Sequence, residues 1–375
     1  MSRKDLNIPA ASGVYARQAH AGIPEGTYEE ELGREGFFGP ASHLYHKNPP
    51  TGWSRIEGGL IPRAFYLDKF VPQGGSEYKV LLHNQQVEIA GWRLSKSMDT
   101  LFRPVFGDSL LFVHTGKGHI LSEFGRLDIT EGDYVVIPRG TTYQVHVDEP
   151  LFFLVVDNNE GRFMLPDKGL LGHHALFDAG VLDIAQIPEG GTHSKPNKNG
   201  EWEVHVATGG GAISKVFYPF DPIDLAGWKG DVFMYKLNWR DFRPIASHRF
   251  HVPPSAHTTF VGNGFVVCTF APRHIEESPD ALKVPFYHRN IDYDEVLFYH
   301  AGNFFSRDHV EPAMVTWHPR GLHHGPHPKA LATQHERAGQ MTNEVAVMID
   351  TRHPLIPADK IAKEAEWLGY KDSWK

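Results

Sequence analysis

The sequence predicts an all-β-dominated protein built from two β-sandwich or jelly-roll barrels, with loops between them and one C-terminal helix. Three observations support this prediction. The 375 residues include 37 glycines and 27 prolines, short apolar runs alternate with turn residues, and one turn motif occurs in both halves. Frequent Gly and Pro interrupt long helices, and closely spaced apolar runs are typical of antiparallel sandwiches and barrels.

Strand signals in the first half begin near Val80, after 75 residues with little regular pattern. The predicted strands are residues 80–83, 87–92, 110–114, 118–124, 126–129 and 134–137. Residues 160–230 are mixed, and residues 194–211 have the composition of a linker. We therefore predict an N-terminal β domain over residues 1–200.

Strand signals resume in the second half, which we predict to be a catalytic domain over residues 201–375. Its predicted strands are residues 232–237, 264–270, 294–300, 313–318 and 343–350. Residues 357–369 start with Pro, carry an apolar i, i+4 face and end near Gly, which predicts a helix.

Composition narrows the functional class. A formal net charge of -8 argues against general affinity for nucleic acid or anionic membrane, and no apolar run is long enough to span a bilayer. Cys268 is the single cysteine, so no intrachain disulfide can form, which fits a cytoplasmic location. Its apolar neighbours predict a packed core residue rather than a nucleophile.

Among 24 histidines, His288 and His324 have the most informative spacing, with the acids Asp294 and Glu295 between them. Two imidazoles and one carboxylate are the ligand set of a facial triad, which holds Fe(II) and leaves positions open for substrate and O2. The sequence favours Glu295 as the carboxylate and keeps Asp294 as the alternative.

The second half contains His288-x-Asn290-x4-Glu295-x6-Gly302, followed by a Pro-x-Gly turn that leads into His324. This order resembles the two signature motifs of the cupin superfamily, with Asn290 in place of one histidine. Residues two apart on a strand face the same way, so Asn290 is expected beside His288.

The first half repeats the turn as Pro138-x-Gly140-x2-Tyr143, with a tyrosine where the motif has a ligand histidine. The resemblance therefore implies a bicupin-like fold whose first barrel is metal-free and whose second barrel holds the metal.

A closer resemblance is to the homogentisate 1,2-dioxygenases. It rests on Tyr-His-Arg-Asn at 287–290 and His-Gly-Pro at 324–326, supported by Leu-Gly-Arg-Glu-Gly-Phe at 32–37 and Arg-Phe-Met-Leu-Pro-Asp-Lys-Gly at 162–169. The resemblance implies Fe(2+) as cofactor and assembly as trimers or hexamers.

Site residues follow from this resemblance. It implies His288, Glu295 and His324 as iron ligands and His251 as the acid–base histidine. His318 matches a further active-site histidine that either donates a hydrogen bond to substrate or oxygen, or supports a ligand. The family usually has one residue fewer between the ligand histidine and the acid, which keeps Asp294 open.

The predicted substrate contacts are less well determined. Phe286 and Asn290 are expected to face inward, and Phe304 falls where the family has a tyrosine. The substrate carboxylate requires a cation or amide donors, and His327, Lys329 and Arg320 all remain candidates.

The predicted function is Fe(II)-dependent conversion of homogentisate and O2 to maleylacetoacetate, in tyrosine and phenylalanine catabolism. One alternative is ring cleavage of gentisate or another hydroquinone-type aromatic acid. Further alternatives are a non-redox metal cupin and a bicupin binding protein. The expected partners are a small aromatic substrate, O2 and further copies of the chain.

Overall fold

The structure, a computed structural model, describes residues 10–75 and 77–375. It is 39% strand and 9% helix, so the predicted β-dominated class is confirmed. The strands of the described residues are, in chain order, β1 (Tyr28–Gly33), β2 (Ala41–His46), β3 (Arg63–Tyr66), β4 (Lys79–His83), β5 (Val87–Leu94), β6 (Leu101–Pro104), β7 (Gly107–Ser122), β8 (Gly125–Thr130), β9 (Asp133–Ile137), β10 (Tyr143–Asn159), β11 (Asp183–Ile184), β12 (Trp202–Ala207), β13 (Ile213–Tyr218), β14 (Tyr235–Asn238), β15 (Thr258–Val261), β16 (Phe265–Phe270), β17 (Tyr287–Asn290), β18 (Asp294–Ala301), β19 (Met314–His318), β20 (Val345–Thr351) and β21 (Ile356–Pro357).

The first barrel is built on a 12-stranded sheet with the path β11-β14-β9-β7-β10-β5-β4-β21, to which β6, β8, β12 and β13 attach. Its interior is apolar and includes Trp92, Val113, Tyr143 and Phe153. Strand β10 has no counterpart in the sequence prediction, because Asp148-Glu149-Pro150 interrupts its pattern. The ladder is irregular there, and a β-bulge is one of the few places where a strand accepts proline.

The second barrel has a six-stranded antiparallel sheet in the order β15-β16-β20-β18-β19-β3. A separate three-stranded sheet joins β17 to β1 and β2, and so brings residues near the N-terminus beside His288. Strand β3 thus contributes to the second barrel, and β12, β13, β14 and β21 contribute to the first sheet. The division at residue 200 into two domains stays a prediction.

The predicted C-terminal helix over residues 357–369 is wrong. The α-helices of the described residues are α1 (Leu67–Phe70) and α2 (Pro328–Ala332), and the tail forms β21 and a 3₁₀ turn at Lys363–Ala365. Tertiary contacts override its helical pattern, because β21 pairs with β4 and Glu366 binds Arg63 at 2.6 and 2.8 Å.

The two barrels share one apolar core, which includes Phe112 and Val136 from the first sheet and Phe298 and Ile349 from the second. Cys268 is 1% exposed, as its apolar neighbours predicted, and burial raises the pKa of its thiol. In the described part of the chain, no helix has the length and apolar character needed to cross a membrane.

Candidate metal centre

His288, Glu295 and His324 converge on one point in the second barrel. His288 lies on β17 and Glu295 on β18. His324 is fixed by backbone hydrogen bonds in both directions with His288, at 2.9 and 3.0 Å. Glu295 Oε2 lies 3.2 Å from His288 Nε2 and 3.4 Å from His324 Nε2. All three side chains are largely or fully buried.

The hydrogen bonds of the two imidazoles suit them to metal binding. A carbonyl oxygen can only accept, so His288 Nδ1 donates to Phe286 and His324 Nδ1 donates to Leu322, at 3.3 and 3.0 Å. With Nδ1 engaged, each ring directs Nε2 toward Glu295, and His324 Nε2 is buried without a hydrogen-bond partner.

The distances between the donor atoms also fit a metal ion. Bonds of about 2.1 Å at angles of about 90–109° separate donor atoms by about 3.0–3.4 Å. The observed 3.2 and 3.4 Å lie in that range. Two lone pairs and a carboxylate repel each other unless a cation lies between them, so the three residues fit a divalent metal.

The structure separates Glu295 from its neighbour Asp294. The carboxylate of Asp294 is turned away and accepts hydrogen bonds from Trp317 Nε1, the Arg320 amide and the Leu355 amide, at 3.1, 3.0 and 2.9 Å. Consecutive strand residues point to opposite faces, so only one of the two acids can face His288. The geometry favours Glu295 as the ligand.

His318 holds the Glu295 carboxylate in place through a hydrogen bond. Its Nδ1 donates to Glu295 Oε1 at 2.9 Å, and its Nε2 lies 2.8 Å from Tyr370 Oη. Because both ring nitrogens are engaged, His318 has no free donor for a substrate. Of the two roles left open by the sequence, the geometry supports that of orienting a ligand. Burial lowers the pKa of His318 to about 3, so the ring is neutral.

Glu295 is ionised although burial alone would raise its pKa. The neighbouring imidazoles of His324, His288 and His318 together hold its pKa well below the ordinary value. Asp350 lies directly across from it in the β18–β20 ladder. Burial, with a smaller effect of Glu295, raises the pKa of Asp350 well above its ordinary value. The pair therefore carries one negative charge instead of two.

A cavity with an empty volume of about 660 Å³, including its open mouth, adjoins the metal centre. Four of the predicted site residues line it: His288, Glu295, Phe286 and His251. Glu276 Oε1 accepts a hydrogen bond from His251 Nδ1 at 3.1 Å, which leaves His251 Nε2 buried without a partner. Burial lowers the pKa of His251, so a neutral base borders the cavity.

Comparisons with known proteins identify the family. Residues 66–239 match the family described as Homogentisate 1,2-dioxygenase N-terminal. The chain is 31% identical over 365 residues to a Saccharolobus solfataricus protein named "Putative dioxygenase SSO1533", with 92% of each chain covered. This chain belongs to the homogentisate 1,2-dioxygenase family.

A homogentisate 1,2-dioxygenase of Bradyrhizobium diazoefficiens is 28% identical over 300 residues. That match covers 75% of this chain and 64% of the relative, so this family member spans less than two thirds of the relative's length. Among solved structures, the chain is similar to a mutant of Bacillus subtilis oxalate decarboxylase. The TM-score is 0.38 and the identity 14%, covering 83% of this chain and 82% of that one.

Several residues predicted from the family resemblance lie outside the cavity. The side-chain oxygen of Asn290 accepts the Asp292 amide at 3.1 Å and caps a turn. Phe304 packs on Tyr299 in a core cluster, with ring centroids 4.9 Å apart. His327 is fully buried, and its Nδ1 accepts the Asp308 amide at 3.0 Å. These three expected substrate contacts are therefore corrected to structural positions.

The other two residues predicted to bind the substrate carboxylate also lie outside the cavity. Arg320 is bound to Asp294 and Lys329 is exposed on α2, and neither lines the cavity. The sequence analysis missed Arg307, which does line it and is 8% exposed. Arg307 lies in an irregular loop, where no periodic pattern marks a buried residue.

Arg307 is a cation without an anionic partner. Its Nη1 donates to the Gly325 carbonyl at 2.7 Å, and its Nε is buried with no partner. Among the ion pairs of the described residues, none includes Arg307. The second arginine of the cavity, Arg273, is neutralised by Glu344 at 3.2 Å. Arg307 is therefore the cationic group best suited to an anionic ligand.

The first barrel has a tyrosine, not a histidine, at the position of a motif ligand. Tyr143 is 1% exposed in its apolar interior, at the position that corresponds to a ligand histidine in the motif. Two groups of side chains in the described residues could hold a metal ion, because the donor atoms within each group all lie within 4.8 Å of one another. Both groups lie near β17. That the first barrel is metal-free stays a prediction.

Proposed function

We propose that this protein is an Fe(II)-dependent dioxygenase that cleaves the ring of homogentisate with O2 to give maleylacetoacetate. The observation that carries the proposal is a two-histidine, one-carboxylate cluster that borders a cavity together with a neutral histidine and an unpaired arginine. Membership of the homogentisate 1,2-dioxygenase family supports the choice of chemistry. One aromatic C–C bond breaks and both oxygen atoms enter the product, so no external reductant is consumed.

His288, Glu295 and His324 would hold the metal. Bound Fe(II) would bring the hydroquinone and O2 together on its open face and pass electron density between them. His318 keeps Glu295 oriented through its 2.9 Å hydrogen bond, and the largely apolar walls limit access of water. The protein thus contributes position, charge and exclusion of solvent.

His251 would take a phenolic proton as the substrate binds. Its Nε2 is the available nitrogen, and Glu276, which accepts from Nδ1, stabilises the imidazolium that forms. Arg307 would pair with the carboxylate of the substrate, because that pairing satisfies its buried Nε and its charge together. These two residues would fix the ring between the base and the metal.

The test begins with metal-free protein loaded anaerobically with Fe(II), mixed with homogentisate and then with air. We expect one O2 consumed per homogentisate and a product with the ultraviolet absorbance of an enol-diketone acid. Uptake with gentisate but not with homogentisate would support the alternative substrate. If no hydroquinone acid supports uptake, the dioxygenase proposal fails, and a non-redox metal cupin or binding protein is the better description.

Neighbouring acids provide a matched pair of variants for the ligand assignment. Glu295→Ala should abolish iron retention, whereas Asp294→Ala should lower thermal stability and retain iron, because Asp294 accepts three hydrogen bonds outside the cluster. Iron content after gel filtration measures the difference. Retention by Glu295→Ala together with loss in Asp294→Ala would contradict the assignment.

A cytoplasmic location and assembly into trimers or hexamers belong to the same proposal. Light scattering coupled to size-exclusion chromatography tests the assembly directly. A mass near the 42.2 kDa of one chain would contradict it.

A further inference from the structure

A second group of metal-type donors lies beside the proposed iron centre. It comprises His20, Glu31 and His43, which we call the N-terminal histidine cluster. Glu31 on β1 is in register with His288 on β17 and with His43 on β2. Paired residues on adjacent strands project to the same face, so the sheet aligns Glu31 with His43. His20 approaches Glu31 from the segment before β1.

The cluster has the donor geometry of a metal site. Glu31 Oε2 lies 2.9 Å from His20 Nε2 and 3.6 Å from His43 Nε2. These distances bracket the separation of about 3.0–3.4 Å between donors that share one ion. His43 Nε2 is buried without a hydrogen-bond partner, as is His324 Nε2 in the first group. His20 is 4% exposed and Glu31 is 8% exposed.

Glu29 supplies the supporting contact that metal-binding histidines usually have. Its Oε1 lies 2.8 Å from His20 Nδ1, and the carboxylate also accepts the backbone N–H of His20 at 3.1 Å. A carboxylate on Nδ1 leaves Nε2 as the ligand nitrogen and makes it more basic. His20 is held at a φ of +58°, which non-glycine residues seldom adopt and which is often found at functional sites.

The buried carboxylates of Glu29 and Glu31 also favour the binding of a cation. Glu29 is 2% exposed, and in the described residues the ion pairs of Glu29 and Glu31 are formed with histidines only. The intervening Glu30 is already paired with His46, His323 and Arg289 on the other face. Burial disfavours a charged ring, but the hydrogen bonds to Glu29 and Glu31 raise the pKa of His20 to about 9, so without an ion a protonated His20 offsets part of this charge. Two buried carboxylates are costly without full compensation, and one divalent ion would displace the ring proton and balance both.

We propose that His20, Glu31 and His43 bind a second divalent transition-metal ion, with Glu29 orienting His20. The site is a nitrogen- and oxygen-donor site of the type that takes Zn²⁺, and it leaves room for a water molecule as the fourth ligand. It goes beyond the proposed function and does not depend on it. The ion would fasten the N-terminal segment to the strand that carries His288, next to His251, whose ring lies 6.0 Å from His20.

Metal counting tests the proposal without reference to turnover. Full-length protein is stripped with a chelator, titrated with Zn²⁺ by calorimetry, and analysed for bound metal after desalting. Wild type should bind two equivalents, and His324→Ala and His43→Ala should each bind one. The double variant should bind none. Co²⁺ in place of Zn²⁺ gives an intense d–d absorption band in a four-coordinate site, which His43→Ala should remove.

Controls separate loss of the site from loss of the fold. His46→Ala changes the same strand but removes a partner of Glu30, so it should keep two equivalents. Glu31→Gln keeps the size of the side chain and should lose one equivalent with a thermal melt close to wild type. The proposal is overturned if wild type binds one equivalent and His324→Ala none, or if Glu31→Gln and His43→Ala both retain two.

Discussion

Removal of one hydroxyl group, Tyr370→Phe, tests whether the hydrogen bonds behind Glu295 determine metal affinity. Tyr370 Oη lies 2.8 Å from His318 Nε2, and His318 Nδ1 lies 2.9 Å from Glu295. His318 is 1% exposed, so water cannot replace the lost partner. An unsatisfied buried group costs about 1–3 kcal/mol.

This free-energy cost is relieved if the His318 ring turns and stops donating to Glu295. The lost hydrogen bond to Glu295 then lowers the affinity of the site for the metal. A cost of 1–3 kcal/mol corresponds to roughly 5- to 150-fold in affinity, consistent with the 10- to 100-fold effect of outer contacts at other metal sites. We expect Fe(II) affinity, measured anaerobically by competition with a chelator of known affinity, to weaken by about 10- to 100-fold.

Tyr134→Phe is the matched control. Tyr134 is also fully buried, and its Oη is paired with Thr269 Oγ1 at 2.8 Å in the core between the barrels. Both variants lose one buried hydroxyl group and should lose similar thermal stability. If Tyr370→Phe binds Fe(II) as tightly as Tyr134→Phe does, the hydrogen-bond chain does not govern the metal and the reasoning is wrong.

The cavity and its metal lead to four further predictions. His251→Ala should retain iron and lower kcat by about 10²- to 10⁴-fold, the usual contribution of a general base. Because the pKa of His251 is lowered by burial, the neutral base persists below pH 6.5, and kcat/KM of wild type should stay level as the pH falls through 6.5. A decline centred above pH 6.5 would exclude His251 as the titrating base. Arg307→Met should raise KM by about 10- to 100-fold, the value of one charged hydrogen bond, whereas the partly exposed Arg320→Met should leave KM unchanged. Removal of the metal with a chelator should lower Tm, since ligands that bind only the folded state stabilise it, and a Tm unaffected by chelation would contradict a buried metal centre.

The position of the N-terminal segment also bears on the proposed active site. His20 packs against both Phe286 and His251, at ring distances of 4.7 and 6.0 Å. Strand β1 pairs with β17 on one side and β2 on the other, so residues 28–46 support the strand that carries His288. The segment that looked least regular in the sequence therefore packs against the strand that carries His288.

Local signals were sufficient for the β-rich class, and they selected three side chains, His288, Glu295 and His324, that the structure brings together. The spacing of His288 and Glu295 depends on strand alternation and one hairpin, and the Pro-x-Gly turn before His324 carries its own backbone preference. The same local reasoning favoured Glu295 over Asp294, and the three hydrogen bonds to Asp294 in the structure agree with it.

Tertiary structure decided what depends on residues far apart in the chain. The tail has a helical pattern, yet pairing of β21 with β4 and of Glu366 with Arg63 made it extended. Arg307 and His20 lie in irregular segments without periodicity, and only the packing of distant strands buries them beside the centre. The sequence by itself determined which atoms can bind a metal, because donor chemistry and strand alternation are local. Which charges line the cavity was determined by the fold alone, because burial is a property of contacts that no short segment contains.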